Sequence, residues 1–433
     1  MGFPSWWKFH QDSAENNYFG TDANGTYDIG NGSNGIYLDT SENRFVSNLI
    51  SGNDYVGVYL NGLGGVGGRA NVFNSNRIGT NKAGTSSIGN RYEGILLVNG
   101  AQGNFLGGEA DSDGKPIVTA PGNLISGNGG HGIGLVFTTT KNNFIINNKV
   151  GTNLDGLSAI PNARWGVSIV DAPNNWVGLA RPDGLPSNVI SGNAEGGITI
   201  IASGATGNIV ENNYVGTDVS GLNPLRNGSH GIYSGSATGW DTGTYSASGN
   251  AAGTFIQHNV ISGNGFYGVW IAKGFNNSLT GNVIGLGSDK SKPLGNLSLG
   301  VVLDGPNNTV GGPLEVDRNI ISGNFDSGVW SLSHGNLIQG NTIGSDFTGT
   351  LDRGNRYQGI VLSGHSDRVD SNLISGNDTS GVWISHDRGA GYNNSLTNNL
   401  IEYRCEWNTR LGKCSPRRNS DCRNILQLDW CNA

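Results

Sequence analysis

The run NVISGN, residues 188–193, sets the rhythm of this chain, because close copies begin at Asn48, Asn123, Asn259, Asn319 and Asn372. Between these copies stands a second run: IGTN at Ile78, VGTN at Val150, VGTD at Val215 and a degraded IGSD at Ile343. Both runs place an asparagine two residues before a key aliphatic or aromatic residue. The series runs from Asn17 to Asn399, at spacings of 22 to 47 residues.

Most copies are followed by a short alternating segment, such as GIYL (35–38), GVYL (57–60), GITI (197–200), GVWI (268–271), GVVL (300–303) and GVWI (381–384). Alternation places one side chain inward and the next outward, so these segments are strands. A third short run, such as NNFIIN (142–147) or GNIVEN (207–212), reads as another strand. Three short strands per repeat, divided by Gly/Asn turns and lacking a helical period, predict one turn of a parallel β-solenoid. A single coil cannot bury its aliphatic residues. Coils stacked at ~4.8 Å build a continuous interior ladder of Ile, Val and Leu, and a dozen of them predict a rod of about 60 Å. The asparagines read as corner residues whose amides bond along the stack and tolerate left-handed backbone, as does the glycine of ISGN.

Composition agrees. The chain has 433 residues, 73 of them glycine, with a net charge of −7, too little helix-forming character for bundles and too much pattern for disorder. The acidic balance speaks against nucleic-acid binding, and no apolar stretch is long enough for a membrane span. The opening MGFPSWWKFHQD lacks the apolar centre of a signal peptide, so the expectation is the interior of a longer exported protein. All four cysteines, Cys405, Cys414, Cys422 and Cys431, fall in the last 29 residues. The repeat breaks at Ile401. Residues 1–16 are therefore read as an N-terminal cap or start, 17–401 as the solenoid, and 402–433 as a cysteine-containing tail or cap.

The alternating units NVISGN…GVWI and VGTD…GN…GIxL resemble the right-handed parallel β-helix repeats of pectate-lyase-like proteins, over residues 17–401. The resemblance implies an all-β, three-strand coil repeated about twelve times, and an extracellular or cell-surface location. For activity it is weak, since the fold hosts lyases, hydrolases, epimerases, esterases and adhesins.

Function is sought where the rungs differ. The outward column of the GVxI strands reads Tyr37, Tyr59, Leu96, Gly134, Ser168, Thr199, Tyr233, Trp270, Val302, Trp330, Val361 and Trp383. Trp270, Trp330 and Trp383 recur at every second coil, ~10 Å apart, an interval suited to stacking on an extended polysaccharide, with Tyr233 beside them. Past the same strands lie Lys273, Asp304, His334, His365, Asp367 and Asp387, with Arg388 close by. In register they would form one ionisable edge: Asp304, His334, His365 and Asp387 as acid and base, Lys273 and Arg388 neutralising a uronate. No metal site is expected and no cofactor is required, with calcium as an alternative bridge to the substrate. The partner is then a polysaccharide, the chain a monomer, and the activity that of a glycoside hydrolase or polysaccharide lyase. The competing reading is a non-catalytic adhesin or stalk.

Two tempting signals are set aside. GGHGIG (129–134) resembles the Gly-His-Gly of polygalacturonases, but no Asp-Asp pair accompanies it, and GSHGIY (228–233) repeats the histidine at the same place. Arg91, Glu93 and Arg356, in NRYEGI and NRYQGI, read as surface pairs.

Overall fold

The computed structural model describes residues 12–401 apart from 112–115, 238–247 and 386–390, together with the backbone of 405–408 and 413–416. Two compact units are distinguished, 1–214 with 241–247, and 215–240 with 248–433. Each is a right-handed parallel β-helix of about six coils, with three strands per coil in three all-parallel sheets.

In the first unit one sheet holds the strands of the asparagine runs, from Tyr18–Phe19 through Leu49–Ile50 to Asn188–Ile190. A second holds the alternating segments, from Ile36–Leu38 to Ile198–Ile201, and a third runs from Ser13–Glu15 to Ile209–Glu211. The second unit repeats the plan, its alternating sheet running from Ile232–Gly235 to Val382–Ile384. The first described strand, Ser13–Glu15, already pairs with Arg44–Val46, and the last coil strand is Leu400–Ile401. Beyond it Cys405–Asn408 pairs antiparallel with Lys413–Pro416; the side chains of all four cysteines lie outside the described residues.

The interior is the expected aliphatic ladder. Ile50, Ile78, Ile125, Val150 and Ile190 stand in register, each with no exposed surface. Identical chemistry at each rung lets side chains interdigitate between coils, so burial here comes from stacking.

The asparagines do more than turn the chain. Asn148 accepts from the main-chain N–H and the side-chain amide of Asn123, both at 3.0 Å; it donates to Asn188 Oδ1 (3.2 Å) and to the Leu106 carbonyl (2.7 Å). Both amide hydrogens and both lone-pair directions are used, which makes a buried amide affordable in an apolar interior. The same ladder joins Asn17, Asn48, Asn76, Asn123, Asn148, Asn188 and Asn213 in the first unit. Asn259, Asn282, Asn319, Asn341, Asn372 and Asn399 form its counterpart in the second.

Two further asparagine ladders occupy the other corners, running Asn43–Asn71–Asn104–Asn143 and Asn53–Asn90–Asn128–Asn162–Asn193 in the first unit. One expectation is corrected. The left-handed residue is the one before most of the ladder asparagines, as at Ser47 (φ 57°), Asn147 (φ 61°) and Ser371 (φ 57°), not the ladder asparagine itself. That geometry turns the following amide into the column, where the hydrogen bonds hold it.

The glycine of the IGT runs is required where it stands. Gly151 has φ 89°, and a methyl group there would lie 2.4 Å from both Asn193 Oδ1 and the Ser191 carbonyl.

Candidate functional site

The outward column is real in register. In the second unit, Tyr233 pairs with Trp270, Trp270 with Val302, Val302 with Trp330, Trp330 with Val361 and Val361 with Trp383. Exposure divides it. Trp383 is 45% exposed, Trp270 and Trp330 are half-buried, and Tyr233 is 2% exposed. Tyr233 is therefore removed from the binding surface: its hydroxyl donates to the Ser236 carbonyl at 2.9 Å and its ring meets Trp270 edge-on at 5.2 Å.

Trp270 also sits in an aromatic cluster with Tyr267 (5.7 Å) and His230 (5.1 Å), which binds one of its sides to the protein. His230 is 4% exposed, and burial pulls its pKa down to about 4, so it is a neutral member of that cluster. Trp330 stands between Val302 and Val361, and its Nε1–H donates to Ser363 Oγ at 3.0 Å, which fixes the ring's orientation.

The ionisable edge separates into two columns. Lys273 and Asp304 belong to the first: the Lys273 N–H donates to the Asp304 carbonyl (3.2 Å), while the Asp304 N–H donates to Ile271 (2.8 Å). Lys273 is exposed and Asp304 half-buried. His334 and His365 belong to the second, nearer the corner. Their rings stack at 4.8 Å and 3°, and His365 continues onto Tyr392 at 5.0 Å and 5°. Asp304 is thus not in register with the histidines. The cause is turn geometry: the imidazoles stand two residues before a ladder position, whereas Asp304 stands four before Asn308. Asp387 and Arg388 lie outside the described residues.

Asp367 is likewise no surface acid. It fills an asparagine position of the corner ladder, 1% exposed, accepting from the Asn336 N–H (2.8 Å) and Ser331 Oγ (2.7 Å). Burial raises its pKa against the opposing pull of those hydrogen bonds.

Cofacial stacking along the coil axis has a chemical consequence. Rings that repeat at the coil spacing cover one another's faces, so His334, His365 and Tyr392 have their edges left for other partners, as His365 Nδ1 has Ser366 Oγ at 3.3 Å. Corresponding nitrogens of rings 4.8 Å apart are too distant to share one tetrahedral zinc, whose bonds of about 2.1 Å bring ligand atoms closer than that. Such an edge can donate and accept protons in a line. Tyr392, 52% exposed, was invisible to the sequence reading because the strand alternation does not reach the corner; its position two before Asn394 is the signal that would have found it. Among the described residues no cluster of three or more His, Cys, Asp or Glu is placed to hold a metal ion, and no helix is long and apolar enough to cross a membrane.

His131 and Glu93 also change standing. The Trp165 N–H donates to His131 Nδ1 at 3.2 Å, and burial drives the imidazole pKa down to about 3, with Arg164 acting in the same direction. Glu93 is half-buried, not paired on the surface, and burial raises its pKa.

No protein-family model matches the chain, and no curated protein matches it. Solved structures do. A variant of the periplasmic alginate epimerase AlgG is similar at 11% identity and a TM-score of 0.42, over 84% of this chain and 70% of that one. The Dettilon tailspike protein is similar at 15% identity and a TM-score of 0.42, over 90% and 62%. PfbA, a surface adhesin of Streptococcus pneumoniae, is similar at 14% identity and a TM-score of 0.28, over 82% of each chain. The likeness is one of coil architecture.

Proposed function

We propose that the protein binds an extended polysaccharide at an extracellular or cell-surface location, along the outward tryptophan column of residues 215–401. The observation that carries this reading is the alternation Trp270–Val302–Trp330–Val361–Trp383. In-register aromatic residues at successive coils would hide each other's faces. A valine between each pair leaves room beside the indole, and the two-coil interval of ~10 Å suits a repeating step along a glycan. The Ser363 hydrogen bond holds Trp330 in one pose before the ligand arrives, which lowers the entropy cost of stacking.

A second reading, a glycoside hydrolase or polysaccharide lyase, is favoured by the stacked His334–His365 pair, whose edges suit acid–base work. Binding without turnover is the better supported of the two, because Asp367 is committed to the scaffold and Asp304 stands in another column.

The experiment is a screen of uronic-acid and neutral polysaccharides by affinity electrophoresis, with reducing ends and the absorbance of unsaturated products followed in parallel. Binding without turnover, weakened at least about tenfold by Trp330→Ala, is expected. Unchanged binding in Trp330→Ala and Trp383→Ala removes the tryptophan track. Turnover lost in both His334→Ala and His365→Ala would establish the enzyme instead.

A further inference from the structure

The outer face of the first unit carries a different arrangement, on the coil whose sequence is GGHGIG. The Gly94 N–H donates to the His131 carbonyl and the Gly132 N–H to the Trp165 carbonyl, both at 3.0 Å. Glu93, His131 and Trp165 therefore occupy one position on three consecutive coils, ~4.8 Å apart. One residue earlier the column reads Tyr92, Gly130, Arg164, set by bonds from Gly130 to Tyr92 (2.8 Å) and from Arg164 to Gly130 (3.1 Å). The outward strand column beside them reads Leu96, Gly134, Ser168, Thr199. Glycine at 129, 130, 132 and 134 leaves His131 the one outward side chain between Asn128 and Leu135. Leu96 occupies the space over Gly134, its Cδ1 2.9 Å from where a methyl would stand, and the Glu93 side chain borders it at 3.7 Å.

We propose that Glu93, His131 and Arg164 line a second ligand site, on the outer face of residues 12–214, that takes an anionic saccharide. The three side chains are half-buried, so they are partly desolvated yet reachable from solvent. The floor is rich in donors. His131 accepts the Trp165 N–H at Nδ1, which leaves the ring proton on Nε2. Arg164 supplies a cation two coils on from Glu93. A floor of donors calls for oxygen acceptors carrying negative charge, as on a sugar carboxylate or sulfate. The rim supplies the sugar-facing part: Tyr55 and Tyr92, each 42% exposed, meet edge-to-face at 4.9 Å, and the Arg91 guanidinium lies 5.8 Å over Tyr92.

Charge sets a pH dependence. The groups facing Glu93 are His131 and Arg164 on the following coils, Arg91 and Tyr92 beside it, and Glu195 next to Arg164 in register. Burial keeps the Glu93 proton to higher pH than an ordinary carboxylate, and His131 is neutral throughout. While protonated, Glu93 is one more donor; once ionised it repels an anion. Affinity therefore falls as pH rises through the Glu93 pKa, by up to about tenfold per unit.

The test is calorimetric titration of the full chain with oligogalacturonate, a sulfated oligosaccharide and neutral dextran, at steps from about pH 4 to about pH 8. Binding of an anionic probe that weakens toward higher pH, survives Trp330→Ala, and is lost at least about tenfold in Arg164→Gln is expected. Glu93→Gln, which copies the protonated acid, should keep the affinity and flatten the pH dependence. Which probe binds tells carboxylate from sulfate. The proposal is overturned if no anionic probe binds, if dextran binds equally well, if Trp330→Ala abolishes the binding, or if Glu93→Gln leaves the pH profile unchanged. Should Arg164→Gln fail to fold, the Glu93→Gln profile decides alone.

Discussion

At the scale of the residue, the asparagine ladder shows why six residues are restated so closely. Asn148 gives and receives four hydrogen bonds within a buried column. Asn148→Ala would strand two donors on Asn123 and acceptors on Asn188 and Leu106, at a cost of about 3 kcal/mol or more, measurable by chemical denaturation. The protein contains its own counter-example in Asp367, which takes a ladder place without an amide to donate. Burial raises its folded pKa above its unfolded value of 3.8, so protonation favours the folded state. That stabilisation is complete below the unfolded pKa and is lost as pH rises through the folded one. Asp367→Asn should restore the missing donor and stabilise the chain by about 1 kcal/mol at neutral pH, with the gain vanishing below about pH 4. A gain independent of pH would contradict the ladder assignment.

At the scale of the element, strand order and register were legible because alternation in GVxI and restatement of NVISGN are direct consequences of a period-two strand repeated at every coil. The outward column from Tyr37 to Trp383 could be written from the sequence, and it pairs as written within each unit. Corners were less legible. Asp304 stands two places past its outward residue and His334 four, and the turns from Val302 to Asn308 and from Trp330 to Asn336 are equally long. The two therefore fall in separate columns although one edge was predicted. Counting onward fails only where the turn lengthens, as from Trp383 to Asn394. Counting backward from the ladder asparagine would have kept His334, His365 and Tyr392 together. Burial was hardest to read: Tyr233 and Trp383 hold equivalent strand positions, yet one is 2% and the other 45% exposed. The IGT turn gives the element its own test. A side chain at Gly151 would meet a ladder amide and a carbonyl while forcing a left-handed backbone, so Gly151→Ala should cost about 2 kcal/mol, a clear drop in the thermal midpoint. Gly64, with a positive φ and nothing within 4 Å, is the control: its alanine variant bears only the backbone penalty.

At the scale of the whole molecule, the stacked design makes stability mainly a sum over neighbours, because the sheet and ladder bonds of each coil run to the coils before and after it. The IGT turns add bonds across one coil, as from the Leu154 N–H to the Gly84 carbonyl (2.9 Å). A defect should then be felt locally. In Asn148→Ala, the ladder bonds lost are those to Asn123, Asn188 and Leu106, which lie on the flanking coils. Hydrogen exchange followed by mass spectrometry should show faster exchange in peptides covering residues 123–190 under native conditions, with peptides from 282–374 unchanged. The reason is physical: opening one rung costs its own buried aliphatic surface and its amide bonds, and leaves rungs several coils away fully paired. Exchange that rises equally in both segments would mean that the coils open as one cooperative body, and the rung would then cease to be the unit of stability. The same local accounting explains where the sequence is at liberty to vary. Interior rungs must repeat to stack, whereas the outward column and the residues two before each ladder asparagine bear on no neighbour's core. Those are positions where this chain departs from its own repeat, with Trp330, His334, His365 and Tyr392 in one unit; in the other the departures Glu93, His131 and Arg164 stand two or three residues after the ladder asparagines Asn90, Asn128 and Asn162.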